Sequence, residues 1–288
     1  MKQFLKKVML FLSVPIVLIG LTELVCYRDM YKKVGVRFNQ LAKSKVLLMG
    51  DSQIQRLDSS LFADSTSMLA SPGEPYYATY FKLKRILDQD DVKVEEVILG
   101  VSPHNFAPIY NKILDREWPE GKKSMKRYFF FLDIHNSIYF NYKDVFSPKF
   151  IELIWSEPEW GGYVVSENSN PDSVTINKIF KMHYGDDSLK YRSEGMQLEY
   201  LELLSELCEK GGIKLHLIST PYHKDYVKRI NPNYFNHMST ALESINYTQH
   251  VDFIIDDVVP DFMSDANHLN SSGSKYYTSR LLEEISVK

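Results

Sequence analysis

Two short stretches of this sequence carry residue types that can break an acyl bond. The first is Gly50-Asp51-Ser52, which follows the apolar run Lys45–Met49. A serine between a buried strand and a helix start exposes its hydroxyl beside free backbone N–H groups, and such groups stabilise a developing oxyanion. The same position also suits a serine that only caps the next helix. The second stretch is Asp265-Ala266-Asn267-His268-Leu269-Asn270, near the C-terminus. A serine needs a base to take its proton, and the base needs an acceptor on its other ring nitrogen. Asp265 is three residues before His268 and can reach it within one turn. Taken together, Ser52 and the Asp265–His268 pair point to nucleophilic catalysis. His104 and His223 each follow a predicted strand, so with Asp51 and Gln53 they are expected as pocket residues, and either histidine is an alternative to His268 as base. The eight histidines show no His-Glu-x-x-His spacing, so no metal is expected. Gly161-Gly162 lacks the rest of a phosphate loop, and no cofactor is expected.

Positioning these residues requires a sheet. Lys45–Met49, Ser67–Ala70, Glu96–Val101, Ile213–Ile218 and Val251–Ile255 read as five short apolar strands. Pro75–Leu87, a segment with Leu198, Leu201, Leu204 and Leu207 at helical spacing, and a segment from about Ser272 read as helices, the second stopping at Gly211-Gly212. Apolar strands alternating with helices predict a three-layer α/β/α fold around a five-stranded parallel sheet. Ligands of such sheets bind beyond the C-terminal strand ends, and those are the places where Ser52, His104, His223 and His268 fall. The stretch from about 106 to 192 breaks the alternation. It holds Trp118, Trp155 and Trp160 with Tyr128-Phe129-Phe130-Phe131, and reads as an aromatic-rich insertion near the C-terminal edge of the sheet.

The N-terminus reads as a separate unit. Lys2, Lys6 and Lys7 precede the apolar run Val8–Tyr27, which is long enough to cross a bilayer, since about 20 residues suffice. Glu23-Leu24-Val25-Cys26-Tyr27 is a poor cleavage site, so residues 1–30 are expected to be an uncleaved, single-pass membrane anchor and residues 31–288 the body. Arg28, Lys32, Lys33 and Arg37 follow the run, so flanking charge does not set its orientation. The net charge is −3 over 288 residues, which offers no bulk attraction to a phosphate backbone, and no nucleic-acid partner is expected.

These stretches resemble the SGNH (GDSL-like) hydrolase superfamily. Gly50-Asp51-Ser52 is similar to its nucleophile block, and Asp265 and His268 with Leu269, Asn270 and Gly273 to its closing block. Gly73 resembles the second-block glycine, and Asn105 is matched more loosely to the third-block asparagine. The likeness covers roughly residues 45–105 and 196–286. It implies a flavodoxin-like sheet and a triad in which Ser52 attacks an ester, His268 acts as base and then acid, and Asp265 orients it. It also implies an oxyanion hole made by the Ser52 and Gly73 N–H groups and the Asn105 side chain. One N-terminal span before such a domain resembles membrane-anchored proteins of cell-envelope acylation. That likeness implies an extracytoplasmic body, a glycan substrate and a multispanning membrane acyltransferase as partner. It leaves open esterase or O-acyltransferase activity, or an inactive assembly or glycan-binding partner of such a complex.

Overall fold

The computed structural model describes residues 28–110, 128, 131, 160–166, 171–185, 195–256 and 260–285. Five strands form one fully parallel sheet: β1 (Val46–Met49), β2 (Thr66–Met68), β3 (Glu96–Gly100), β4 (Lys214–Ser219) and β5 (Gln249–Asp252), in the order β2-β1-β3-β4-β5. The helices are α1 (28–41), α2 (Tyr76–Leu87), α3 (Ser173–Tyr184), α4 (Gly195–Lys210), α5 (Lys224–Val227), α6 (Pro232–Glu243) and α7 (Ser271–Ile285).

The strands are apolar on both faces because both faces are covered. Leu47, Met49, Val97, Leu99, Leu215 and Leu217 pack in one cluster with residues of α1, α2, α4 and α6. Val46, Leu48, Ile98, Ile218 and Val251 turn the other way, toward Tyr277 and Leu281 of α7. The alternation is the period of two that a strand imposes, and it splits the core into two layers.

The structure departs from the sequence expectations in one strand and in several helices. The fifth strand spans Gln249–Asp252 rather than Val251–Ile255. It is an edge strand bonded only to β4, so it tolerates half-exposed Gln249 and His250, while Ile255 lies outside the ladder and is 79% exposed. Helices α1, α3, α5 and α6 are additional to the three helices that the sequence pattern predicts. Helix α1 packs into the body: Val34, Phe38 and Leu41 are buried in the larger core cluster. The expected span at residues 8–27 lies outside the described residues, as do Trp118, Trp155, Phe129 and Phe130. Among the described residues, no helix is long and apolar enough to cross a membrane.

Two local devices fix the loops that bear the chemistry. Asn270 Oδ1 accepts from the N–H groups of Ser272 and Gly273 and so starts α7. A Cβ on Gly273 would lie 2.2 Å from the Phe262 carbonyl oxygen, so only glycine lets the helix sit this close to the loop before it. On the opposite side, Lys82 of α2 is buried with Glu74 at 2.6 Å. Its remaining donors reach the Leu69 carbonyl at 3.2 Å and Ser71 Oγ at 3.1 Å, and Phe131 and Tyr128 lie over its charge. All three ammonium protons are therefore used, and the 69–74 loop is tied to α2.

Removing the lysine strands the Glu74 carboxylate in the core. Lys82→Met is expected to lower the unfolding free energy by about 3–5 kcal/mol. The double variant Glu74→Gln/Lys82→Met should lose less than Lys82→Met alone. Denaturant titration of the three proteins checks both statements.

Candidate active site

Strand β1 ends at Gly50, whose φ is +125°. A Cβ there would meet the Gly100 N at 3.2 Å and Ile54 Cγ1 at 3.3 Å. The missing side chain lets the ends of β1 and β3 approach closely while the chain turns out of the sheet. After β1 the chain moves to β2 on one side, and β3 continues toward β4 on the other. Ser52 and the loop 102–107 thus face each other across the switch point, where open α/β sheets bind ligands.

The closing loop meets this turn. His268 Nε2 lies 2.7 Å from Ser52 Oγ. His268 Nδ1 lies 2.8 Å from Asp265 Oδ2 and 3.0 Å from Oδ1. Asp265 Oδ1 also accepts from the N–H groups of Asn267 and His268, both at 3.0 Å. Burial alone would raise the Asp265 pKa, but the hydrogen bond and charge of His268, with those two N–H groups, hold it below the ordinary aspartate value. An ionised carboxylate can only accept, so Nδ1 carries the proton and Nε2 is left to accept from the serine hydroxyl. Asp265 and His268 remain partly accessible from solvent, at 24% and 15% side-chain exposure.

Behind Ser52 lies a second polar cluster. Asp51 Oδ1 accepts from the Gln53 N–H at 2.9 Å. Its Oδ2 accepts from His104 Nε2 at 2.7 Å, Asn105 Nδ2 at 2.8 Å and the Tyr110 hydroxyl at 2.8 Å. His104 Nδ1 lies 2.7 Å from both the Tyr222 and Ser102 hydroxyls. All these side chains are buried. Burial pushes the Asp51 carboxyl up, yet the charge and hydrogen bond of His104, with the Gln53 N–H and Tyr110, hold it far below the usual range. His183 of α3 stacks on His104 with ring centroids 5.0 Å apart, and burial pushes its own pKa well down.

The expected pocket residues therefore divide. Ser52, His268 and Asp265 come together as one hydrogen-bonded chain. Asp51 and His104 form a buried pair beneath it. Gln53 is buried and its Nε2 donates to the Asn267 carbonyl at 3.2 Å, pinning the nucleophile turn to the closing loop. His223 caps α5 by accepting from the Asp225 N–H, while its own N–H donates to the Ala266 carbonyl at 2.9 Å. It holds the closing loop from behind. Gly73 follows β2, and the Ser71 N–H donates to the Gly50 carbonyl at 3.0 Å, so its loop is bonded to the nucleophile turn. The N–H groups of Ser52 and Gly73 donate to no described residue. Asn105 differs from its expected place: its amide N–H groups are committed to Asp51 and to the Tyr110 hydroxyl at 3.3 Å, which ties them to the buried cluster.

Sequence reasoning did not single out Tyr110, Gln197 or the strap 160–166. Gln197 of α4 accepts from the Tyr76 N–H and donates to the Asn105 carbonyl. The strap bonds Gly162 to Ala70 and Val164 to Gln55, and its Ser166 carbonyl accepts from Ser271. No local pattern marks these residues, because each acts on a partner remote in sequence. Among the described residues no group of three or more His, Cys, Asp or Glu is placed to hold a metal ion.

No protein-family model matches the chain, and no curated protein matches it. One solved structure similar to it is provisionally described as a platelet activating factor from Streptococcus pneumonia. The two share 12% identity and a TM-score of 0.44, over 90% of this chain and 94% of that one. A likeness that faint does not bear on what this chain does.

The two depressed aspartates of the site, Asp51 and Asp265, contribute to acid stability. Between the ordinary value of about 3.9 and the lower folded values, the unfolded chain binds protons that the folded chain refuses. Their stabilisation is complete above about pH 4 and drains as the pH falls further. Asp51→Asn is expected to flatten this acid limb. Urea titrations from about pH 2.5 to 5 would show an unchanged slope if Asp51 were not depressed.

Proposed function

We propose that the protein is a serine esterase or O-acyltransferase of the SGNH type, anchored by residues 8–27 and acting outside the cytoplasm on acyl, in particular acetyl, esters of a cell-envelope glycan. The observation that carries the catalytic part is the unbroken chain from Ser52 Oγ through His268 to Asp265, at 2.7 and 2.8 Å. Such spacing suits a nucleophile, its base and the group that orients the base. The envelope, glycan and membrane-acyltransferase parts rest on the sequence resemblance and the apolar N-terminus.

The steps follow from the atoms present. As Ser52 Oγ bonds to the ester carbon, its proton passes to His268 Nε2, and Asp265 stabilises the imidazolium. The carbonyl oxygen becomes an oxyanion. The uncommitted N–H groups of Ser52 and Gly73 are the donors assigned to it, and Asn105 acts through Asp51 instead. His268 then protonates the departing alcohol, which leaves an acyl-serine. Water resolves that intermediate in hydrolysis and a sugar hydroxyl in transfer, each giving its proton to His268. The diversion of Asn105 from the oxyanion favours a second reading, an SGNH-like assembly or glycan-binding partner without turnover.

Labelling with a fluorophosphonate and hydrolysis of p-nitrophenyl acetate separate the two readings. The wild type should label and turn over. Ser52→Ala should abolish labelling and lower kcat by about 10⁶-fold, and Asp265→Asn should cost about 10⁴-fold. A folded wild type that does neither favours the inactive partner. A reporter active only outside the cytoplasm, fused to the C-terminus, should give a signal. Its silence alongside an active cytosolic reporter would overturn the assigned orientation.

A further inference from the structure

Beside the triad is an open pocket of about 450 Å³, lined by Arg56, Ser166, Thr175, Lys178, Ile179, Met182, Ser264 and Asp265. It adjoins the site at two points: Asp265 belongs to the triad, and Arg56 follows Ser52 by four residues in the same turn. Its walls come from the nucleophile turn, the closing loop, the strap and α3, so it exists only once all four are assembled.

The charges in this pocket are unbalanced. The Asp265 carboxylate is already held by His268 and by the N–H groups of Asn267 and His268. Arg56 and Lys178 have no ion pair among the described residues. Arg56 is half-buried; burial lowers its pKa, and the nearby Asp265 charge opposes that shift without forming an ion pair with it. Among the described residues its guanidinium donates from Nη1 to the Val164 carbonyl at 3.1 Å, and its buried Nε meets no partner there. The Val164 N–H in turn donates to the Gln55 carbonyl at 3.0 Å. The strap thus clamps the residue before Arg56 and one arm of its guanidinium. A planar donor fork held in advance, with other N–H groups uncommitted, is suited to a carboxylate or phosphate. Lys178 adds a second, exposed cation. Thr175 and the serines add polar wall, and Ile179 and Met182 an apolar side.

We infer that this pocket binds an anionic group of the substrate, a carboxylate or phosphate carried outside the ester that Ser52 attacks. The inference rests on the esterase reading for the word substrate, but not for the pocket itself. Arg56 supplies the oriented contact and Lys178 the longer-range attraction. Such a site selects acidic sugars or sugar phosphates over neutral glycans of the same size.

Two measurements test this on the full-length chain in detergent. In the first, the kcat/KM of a neutral ester, 4-acetoxybenzamide, is compared with that of the anionic 4-acetoxybenzoate, which carries its charge on the alcohol part as an acidic sugar does. The wild type should favour the anionic ester, and Arg56→Gln should cut the preference about 10- to 100-fold, the worth of a charge-assisted hydrogen bond. Lys178→Gln should cut it less, and salt should narrow it. Arg56→Lys should restore part of it, chiefly through KM. A preference that is absent in the wild type, or unchanged in Arg56→Gln, overturns the inference. In the second, thermal unfolding is followed with glucuronate, glycerol 3-phosphate, glucose and glycerol at matched ionic strength. The two anions should raise Tm in the wild type and not in Arg56→Gln, and the larger shift tells carboxylate from phosphate. Equal shifts for anions and neutral compounds overturn the inference. If the protein hydrolyses neither ester and takes no fluorophosphonate, the esterase reading fails, and the anion pocket is then decided by the Tm shifts alone.

Discussion

A charged carboxylate buried at the end of β1 governs the arrangement of this molecule. Asp51 is 3% exposed, and an isolated charge at that depth is costly enough that it would protonate instead. It stays ionised because four donors converge on it: the Gln53 N–H, His104, Asn105 and Tyr110. Each donor has a structural consequence. The Gln53 bond closes the turn that presents Ser52. His104 and Asn105 fix the loop after β3 against the turn after β1, and Tyr110 draws in the start of the stretch that interrupts the sheet. Ser52 is the next residue in the chain. Its position is inherited from a charge that must stay satisfied.

A second set of constraints comes from the layers around this centre. The sheet order places the ends of β1 and β3 side by side with their connections leaving in opposite directions. That geometry opens a crevice without any special sequence. The Lys82–Glu74 pair holds the loop bearing Gly73 from one side. On the other, the Asn270 cap and the contact between Gly273 and Phe262 set where α7 begins, and so where the preceding loop can place His268. The strap 160–166 then crosses between these parts and bonds to the turns at Gln55, Ala70 and Ser271. The interrupting stretch is therefore part of the site wall. It contributes Val164 to the clamp on Arg56 and, through α3, His183 to the stack on His104.

Much of the site was legible because its chemistry is local in sequence. Asp265 reaches His268 across three residues, and the pair forms within a single loop. Ser52 follows a strand, where turning out of the sheet exposes it. Asn105 shows the opposite case. A side chain with two amide protons and one oxygen suits an oxyanion equally well from its spacing. Its choice is made by Asp51 and Tyr110, neither of which its own segment reveals. The fifth strand was misplaced for a related reason. The apolar residues Phe253 and Ile254 are buried in the turn after the strand, and the edge ladder itself uses polar residues because solvent meets one side of it.

By itself the sequence determined the period of the strands, the alternation with helices and therefore the parallel sheet with both faces covered. It also determined which residues could serve as nucleophile, base and orienting acid, since those properties reside in the residue types and their nearest neighbours. Only the tertiary structure decided that Ser52 and His268, 216 positions apart, lie 2.7 Å from one another. It alone decided that His104 serves Asp51 while His268 serves Ser52, and that Arg56 lies beside them with no ion pair within 4 Å among the described residues. The physical reason is that pairing in a folded interior follows distance and desolvation. Both are properties of the packed whole, and a linear chain carries them only implicitly.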